Sequence, residues 1–149
     1  MSKEEVHKAA EDAKKTYMAN GDPDLPQQAV FTEFGVLGHA VGKNAEKLGN
    51  GIVRILKNPQ NGRYRIVMRD KNDLNNIFIN HFILPESALL PKPLENGKIV
   101  YNTTNYPNPS VDKIGKKEQF NLRFITPELN QEFIAKYQEA LEENKKLLK

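Results

Sequence analysis

Two hydrophobic periods run along this chain, and the switch between them is sharpest near its C-terminal end. Phe120, Leu122 and Phe124 alternate with Asn121, Arg123 and Ile125, which predicts a strand with one apolar face over 119–125. Directly after it, Leu129, Phe133, Tyr137 and Leu141 recur every fourth residue, with Ile134 and Ala140 widening the stripe, so the period becomes that of an amphipathic helix. Thr126 is placed to cap that helix, its hydroxyl accepting from an orphan N–H. Pro127 suits the first helical position and Glu128 the positive end of the helix.

Upstream the period is two. IVRIL (52–56) and RYRIVMR (63–69) flank a loop containing Pro59 and Asn61-Gly62, which predicts a hairpin. Tyr64, Ile66 and Met68 share one face of its second strand. Arg63, Arg65 and Arg69 share the other, interrupted only by Val67. IFINHFIL (77–84) reads as a third strand after a turn at 72–76, and IVYNTT (99–104) as another. Prolines 85, 91 and 93 mark a loop with a short strand at 88–90, and NYPNPSVDKIGKKE is broken by its prolines. Asn80 and His81 lie within an apolar strand, so one of the two points inward; a histidine there is expected as a hydrogen-bonded core or rim residue. In 31–50, Phe31, Phe34, Val36 and Leu37 fit the opening of a strand, but glycines at 35, 38, 42 and 49 leave that stretch without an assignment.

The first residues differ. Val6, Ala9, Ala10, Ala13 and Tyr17 share one side of a helical pattern ringed by Glu/Lys pairs, and Gly21-Asp22-Pro23-Asp24-Leu25-Pro26 ends it. The chain therefore divides into an N-terminal helix and arm or linker (1–28) and a domain (29–149). Several short strands followed by one helix predict a mainly β fold, an antiparallel barrel or sandwich capped by the C-terminal α-helix.

Composition narrows the function. The 149 residues fit one domain with an extension. No run approaches the ~20 apolar residues of a membrane span, so no membrane insertion is expected. The first residues lack the apolar core of a secretory signal. With no cysteine there is no disulfide framework, thiolate metal site or catalytic thiol. His7, His39 and His81 have no ligand spacing, and the serines at 2, 87 and 110 form no nucleophile elbow. The stretch Gly38 to Asn44 fails as a phosphate loop, with three residues between its glycines and Asn44 where Ser or Thr must stand. No catalytic residue, cofactor or metal ligand is predicted, and the chain reads as a non-enzyme. Tyr101, Tyr106 and Tyr137 lack the basic–aromatic alternation of a base-stacking strand, so no nucleic acid is expected.

Charge supplies the positive signal. Between Lys43 and Lys71 there are eight basic residues against Glu46 and Asp70, a local excess of six where the whole chain carries +3. Such a field favours an acidic partner. A solubilising face is the other reading of the same residues.

The order and spacing of GNGIVRIL, RIVMR, INHFI, VYNTTNY and LRFITPE…FIAKYQEAL resemble the Ran-binding domain family over roughly 49–141, with a first strand beginning near Phe31. The most specific matches are Gly49-x-Gly51, Met68-Arg69, Asn80-His81 with Ile83, and Arg123-Phe124 with Phe133. The chain is most similar to the Ran-binding domains of nuclear-basket nucleoporins. Ala45 stands where the family usually has an aromatic residue, and Leu48 where a basic one is common.

The resemblance implies a pleckstrin-homology-like fold, a bent antiparallel β barrel with a helix across one end. It implies recognition of the small GTPase Ran in its GTP form, with importins or exportins as further partners. The expected location is the nucleus and nuclear pore complex, with the cytoplasm as a second site. In the family, Ran's acidic C-terminal tail lies on a basic surface, and the residues that carry this over are Arg54, Lys57, Arg63, Arg65, Arg69 and Asn80. The alternative is a pleckstrin-homology-like module binding an anionic lipid headgroup or a peptide.

Overall fold

The two longest strands lie where glycine is densest. In the computed structural model, which describes residues 2–19, 21–41, 44–89, 97–106 and 115–147, β1 spans Gln28–Val41 and β2 spans Asn44–Lys57. They pair antiparallel from Gln28↔Lys57 to Val41↔Asn44, with irregularities after Ala29 and Leu37. Close approach explains the glycines that weaken the sequence pattern. A Cβ at Gly51 would lie 2.0 Å from the carbonyl oxygen of Arg69, and one at Gly49 2.7 Å from the Phe78 ring. The Gly-x-Gly motif is where a neighbouring backbone and a ring press against the sheet.

The predicted hairpin follows, with β3 at Tyr64–Asp70 paired to β2 from Lys57↔Tyr64 to Gly51↔Asp70. β4 spans Asp73–Phe82, so the strand begins before Ile77 and the turn shrinks to Lys71 and Asn72. The pairing there is irregular, shifting between Met68 and Asp70. Asp70 accepts from the Asn72 N–H at 2.9 Å, the local turn that a polar Asn/Asp run conceals from a period-two reading. A 3-10 turn at Pro85–Ser87 and a single bridge, Leu89↔Tyr101, stand where a short strand was expected. Leu90 and most of the proline-broken stretch after Tyr106 (107–114) lie outside the described residues. β5 is Ile99–Asn105, β6 is Lys116–Phe124, and the C-terminal helix is Pro127–Leu147.

The strands form one antiparallel sheet in the order β4-β3-β2-β1-β6-β5, curled into a half-barrel. Its edges, β4 and β5, meet chiefly through Asn105 and the backbone of Tyr106. Asn105 Nδ2 donates to the Phe78 carbonyl at 2.8 Å, Asn105 Oδ1 accepts from the Asn80 N–H at 2.8 Å, and the Tyr106 N–H reaches the Asn80 carbonyl at 2.9 Å. This polar latch joins β4 to β5 where no strand ladder does.

The concave face holds the main core. Phe31, Val53, Ile55, Ile66, Met68, Ile79, Tyr101, Phe120, Leu122 and Phe124 meet Phe133, Tyr137, Ala140 and Leu141 of the C-terminal helix. Phe133 lies 5.1 Å from Phe124 and 5.5 Å from both Phe31 and Tyr137, measured between ring centroids. The Thr126 hydroxyl caps the helix, accepting from the Leu129 N–H at 3.2 Å. Asn144 ties its last turns to the sheet, bonding the Tyr64 N–H and carbonyl and the Ile83 carbonyl.

Of the adjacent pair Asn80 and His81, it is His81 that faces this core. Its Nδ1 donates to the Phe82 carbonyl at 2.8 Å, which leaves Nε2 to accept from the Tyr101 hydroxyl at 3.1 Å. Burial pulls the imidazole down to about 4, with Arg65 adding in the same direction.

The N-terminal helix, α1 (Lys3–Met18), is seated on the convex face. Ser2 caps it, and Ala10, Ala13 and Tyr17 pack on Phe34, Ile52, Leu74 and Ile125. The C-terminal helix is hereafter α2. No described helix is long and apolar enough to cross a membrane.

Candidate functional site

The convex face of β2–β4 is where the sequence places a row of cations. Arg54 of β2 sits opposite Val67 of β3, and Val67 opposite Asn80 of β4, so these three share a face. Arg65 and Arg69, two positions either side of Val67, point the same way. Lys57 does not join them: it pairs with Tyr64 across the hairpin, and its Nζ lies 5.8 Å from that ring's centroid on the other side of the sheet.

The row is already half occupied by the chain's own acid. Arg54, only 4% exposed, donates from Nη1 to Asp22 at 2.6 Å and to Asp24 at 2.9 Å, and from Nη2 to Asp22 at 3.2 Å. Its Nε bonds the Thr32 hydroxyl at 3.1 Å, and its guanidinium lies 5.4 Å from the centroid of the Tyr17 ring. Arg69 donates to the other oxygen of Asp24 at 3.0 and 3.3 Å and to the Leu74 carbonyl at 2.7 Å. Asp24, equally buried, therefore bridges both arginines and also accepts from the Tyr17 hydroxyl at 2.5 Å.

The charge states follow from these contacts. Burial alone would lower Arg54, but its bonds to Asp22 and Asp24 overcome this and raise it above the ordinary guanidinium value. The Arg54 hydrogen bond holds the Asp22 carboxyl below the ordinary carboxylate value. Burial and the Asp24 carboxylate push the Tyr17 phenol up, so it is neutral and donates.

Arg63 and Arg65 differ. Among the described residues neither is ion-paired with a carboxylate. Arg65 donates to the Asn80 side-chain oxygen, and its guanidinium stacks 5.6 Å from the centroid of the half-exposed Phe82 ring. Asn80 is itself held by donating to the Tyr106 carbonyl at 2.9 Å. Arg65 Nε is buried without a partner, and burial depresses the guanidinium below its usual value. Among the described residues it is a partly desolvated cation with no carboxylate in ion-pair contact, Asp24 acting on it only through space. Arg63, Arg65 and Phe82 line a cleft of about 200 Å³ whose other wall is the end of the arm, Pro26 and Gln27.

The six residues expected from sequence thus fall into three groups. Arg54 and Arg69 are internally neutralised, Arg63 and Arg65 line the cleft with Asn80 bonded to Arg65, and Lys57 faces elsewhere. Sequence reasoning missed Tyr17, Asp22, Asp24 and Phe82. Two of them carry only a faint signal: Asp22 and Asp24 flank Pro23 in the arm, and the basic stretch that they meet does not begin until Lys43.

A family model, the RanBP1 domain, matches residues 39–143, well over half of the chain. The chain belongs to the RanBP1 domain family. The E3 SUMO-protein ligases RanBP2 of Homo sapiens and Pan troglodytes are each 34% identical to it over 98 residues, covering 66% of this chain. The chain spans only 3% of the length of these curated relatives, so their ligase name describes proteins far larger than this domain.

The Ran-binding domain of the nuclear complex component Nup2 from Ashbya gossypii superposes with a TM-score of 0.62 at 17% identity, covering 76% of this chain and 94% of that one. A second structure of the Nup2 domain gives 0.59 at 15%, covering 76% and 95%. At those identities the likeness carries the fold, the pleckstrin-homology-like barrel of Ran-binding domains. RanBP1 domains are binding modules, known for Ran binding in nuclear transport, and not enzymes. The match begins at His39, so α1 and the Asp22–Asp24 arm lie outside the part of the chain that defines the RanBP1 domain.

Proposed function

We propose that this domain binds Ran in its GTP-loaded form as a non-enzymatic adaptor of nucleocytoplasmic transport, at the nuclear pore. The RanBP1 domain match over residues 39–143 carries the reading. Importins are further partners in this proposal.

The physical chemistry of the site supports an acidic contact on the Ran side. Arg63 and Arg65 offer guanidinium groups, which pair carboxylates bidentately, and Asn80 holds Arg65 in place as a positioning residue. A partly buried cation is screened less by salt than an exposed one, and aligned charges raise association rates more than equilibrium affinity. Arg69 and Arg54 would join the contact as reserves, once their own carboxylates are displaced. Lys57 contributes only to the general field.

Calorimetry with Ran loaded with a non-hydrolysable GTP analogue or with GDP tests the proposal directly. Tighter binding of the GTP-analogue complex is expected. Equal affinities would remove the nucleotide preference, and no binding of either form would overturn the assignment of Ran to this chain. Reversing Arg63 and Arg65 to Glu should slow association and flatten its salt dependence. Unchanged kinetics in a folded double variant would place the Ran contact elsewhere on the barrel.

A further inference from the structure

The arm that neutralises Arg54 and Arg69 has the chemistry of the ligand this face would take from outside. Two aspartates on either side of a proline, in a chain segment with no helix or strand, lie across two strands and deliver their carboxylates to two guanidinium groups. We infer that Asp22-Pro23-Asp24 is a resident acidic ligand, a plug that an acidic segment of a partner must displace to occupy the whole arginine face.

Three observations carry this. The first is charge balance: the cluster contains two guanidinium groups and two carboxylates. Exchanging these carboxylates for a partner's strands no buried cation, whereas simple removal would leave two uncompensated.

The second is continuity. The arm ends in Pro26 and Gln27, which wall the cleft where Arg63 and Arg65 stand without carboxylates. An acidic chain entering at the free arginines meets the plug end-on, and extending by a few residues requires the plug to leave.

The third is how lightly the rest of the segment is held. Among the described residues, apart from Tyr17, α1 contributes two alanines to the convex cluster, and one further ion pair, Lys14 to Glu33 at 3.2 Å, joins it to β1. Small side chains bury little apolar area, so most of the docking specificity rests on the charges themselves. A binding face closed by its own chain has its apparent affinity reduced by the fraction of molecules in which it is open.

The inference rests on the Ran reading only for the partner's identity, and the test separates the two. A short peptide of alternating Asp and Glu, with its Asn/Gln counterpart as control, is titrated into the full chain while amide hydrogen exchange is followed in α1. Saturation with the acidic peptide is expected to accelerate exchange in α1 and the arm, and the control peptide to leave it unchanged. In the full-length Asp22→Asn/Asp24→Asn variant the acidic peptide should bind about tenfold tighter than in wild type.

Bound peptide with α1 fully protected would overturn the inference, as would a folded double variant with unchanged or weaker peptide affinity. So would absence of binding to both proteins. If the double variant fails to fold, the wild-type exchange measurement decides. Repeating the exchange with Ran bound to the GTP analogue divides the remaining cases. Ran bound with α1 protected upholds the Ran reading and sinks the plug; peptide displacing the arm without any Ran binding does the reverse.

Discussion

The two helices lie on opposite faces of the same sheet, and they are held there by different physics. On α2, Phe133 and Tyr137 sit among rings and aliphatic side chains, and its buried polar groups are fixed to backbone. The Tyr137 hydroxyl donates to the Ser87 carbonyl at 2.7 Å, and Asn130 accepts from the Phe124 N–H at 2.9 Å. On α1 and its arm, one tyrosine and two aspartates meet two arginines. A helix held by shape has no competitor in solution, because no free molecule reproduces its surface. Contacts made by carboxylates can be reproduced by any flexible acidic chain. The comparison teaches that the concave face sets stability while the convex face is where binding can be contested.

The sharpest way to break that division is at Phe133. Its ring is fully buried, and Phe133→Ala should lower the global unfolding free energy by ~3–5 kcal/mol. A urea titration showing a loss of less than about 1 kcal/mol would mean that α2 is no more essential than α1.

Acid should act on the concave face first. His81 is held down at about 4 by burial, against 6.5 for the free side chain, so the unfolded chain takes up a proton that the folded one refuses. The stability this contributes is present in full above the unfolded value and is lost as pH falls from 6.5 towards 4. The loss amounts to roughly 3 kcal/mol. Asp22 runs to lower pH: its folded value is depressed, so its contribution persists above the ordinary carboxylate value of 3.8 and disappears only below it. Unfolding measured between pH 7 and 4 should therefore weaken the barrel before α1 undocks, and His81→Asn should flatten the dependence. Undocking of α1 well above pH 4 would reverse the order.

Tyr17→Phe keeps the ring over Arg54 and removes only the hydroxyl that Asp24 accepts. A hydrogen bond to a charged group is worth about 1.5–3 kcal/mol. We expect the lower figure, seen as faster amide exchange in α1 with the barrel's urea midpoint unmoved. A shift of the midpoint would show that the two faces unfold as one unit. Smallest is Lys14→Ala. It breaks a partly exposed pair with Glu33 and should cost about 0.5 kcal/mol or less, measured by the same exchange.

Much of the barrel was legible because its strands are short apolar or alternating runs bounded by turn residues. Phe120–Phe124, and Arg63–Arg69 apart from Val67, reveal which side faces inward, Ile52–Leu56 reads as a strand by its apolar run alone, and the Thr126 cap with the fourfold repeat from Leu129 reveals α2. β1 and the first half of β2 were not assigned, because glycines chosen for close approach carry no hydrophobic signal. β4 began earlier than expected because Asn75 and Asn76 face solvent in a strand whose pairing is irregular. At the site, the arginines were legible as a pattern, but their partners were not. The pairing of Arg54 with Asp22 spans 32 positions and depends on α1 folding back over the sheet, which no local period encodes.

The order of strands in the sheet also sets an order in time. From β1 to β4 every neighbour in space is a neighbour in sequence, whereas β1 meets β6 through pairs such as His39↔Phe120, 81 positions apart. Closing so long a span costs chain entropy that short hairpins do not, so the four-strand meander is expected to assemble first and the β5–β6 hairpin to join it later. Asn105, which fastens β5 to β4, would then engage after the rate-limiting step. Asn105→Ala should speed unfolding with little change in the folding rate, and a clear slowing of folding would instead put that latch inside the nucleus.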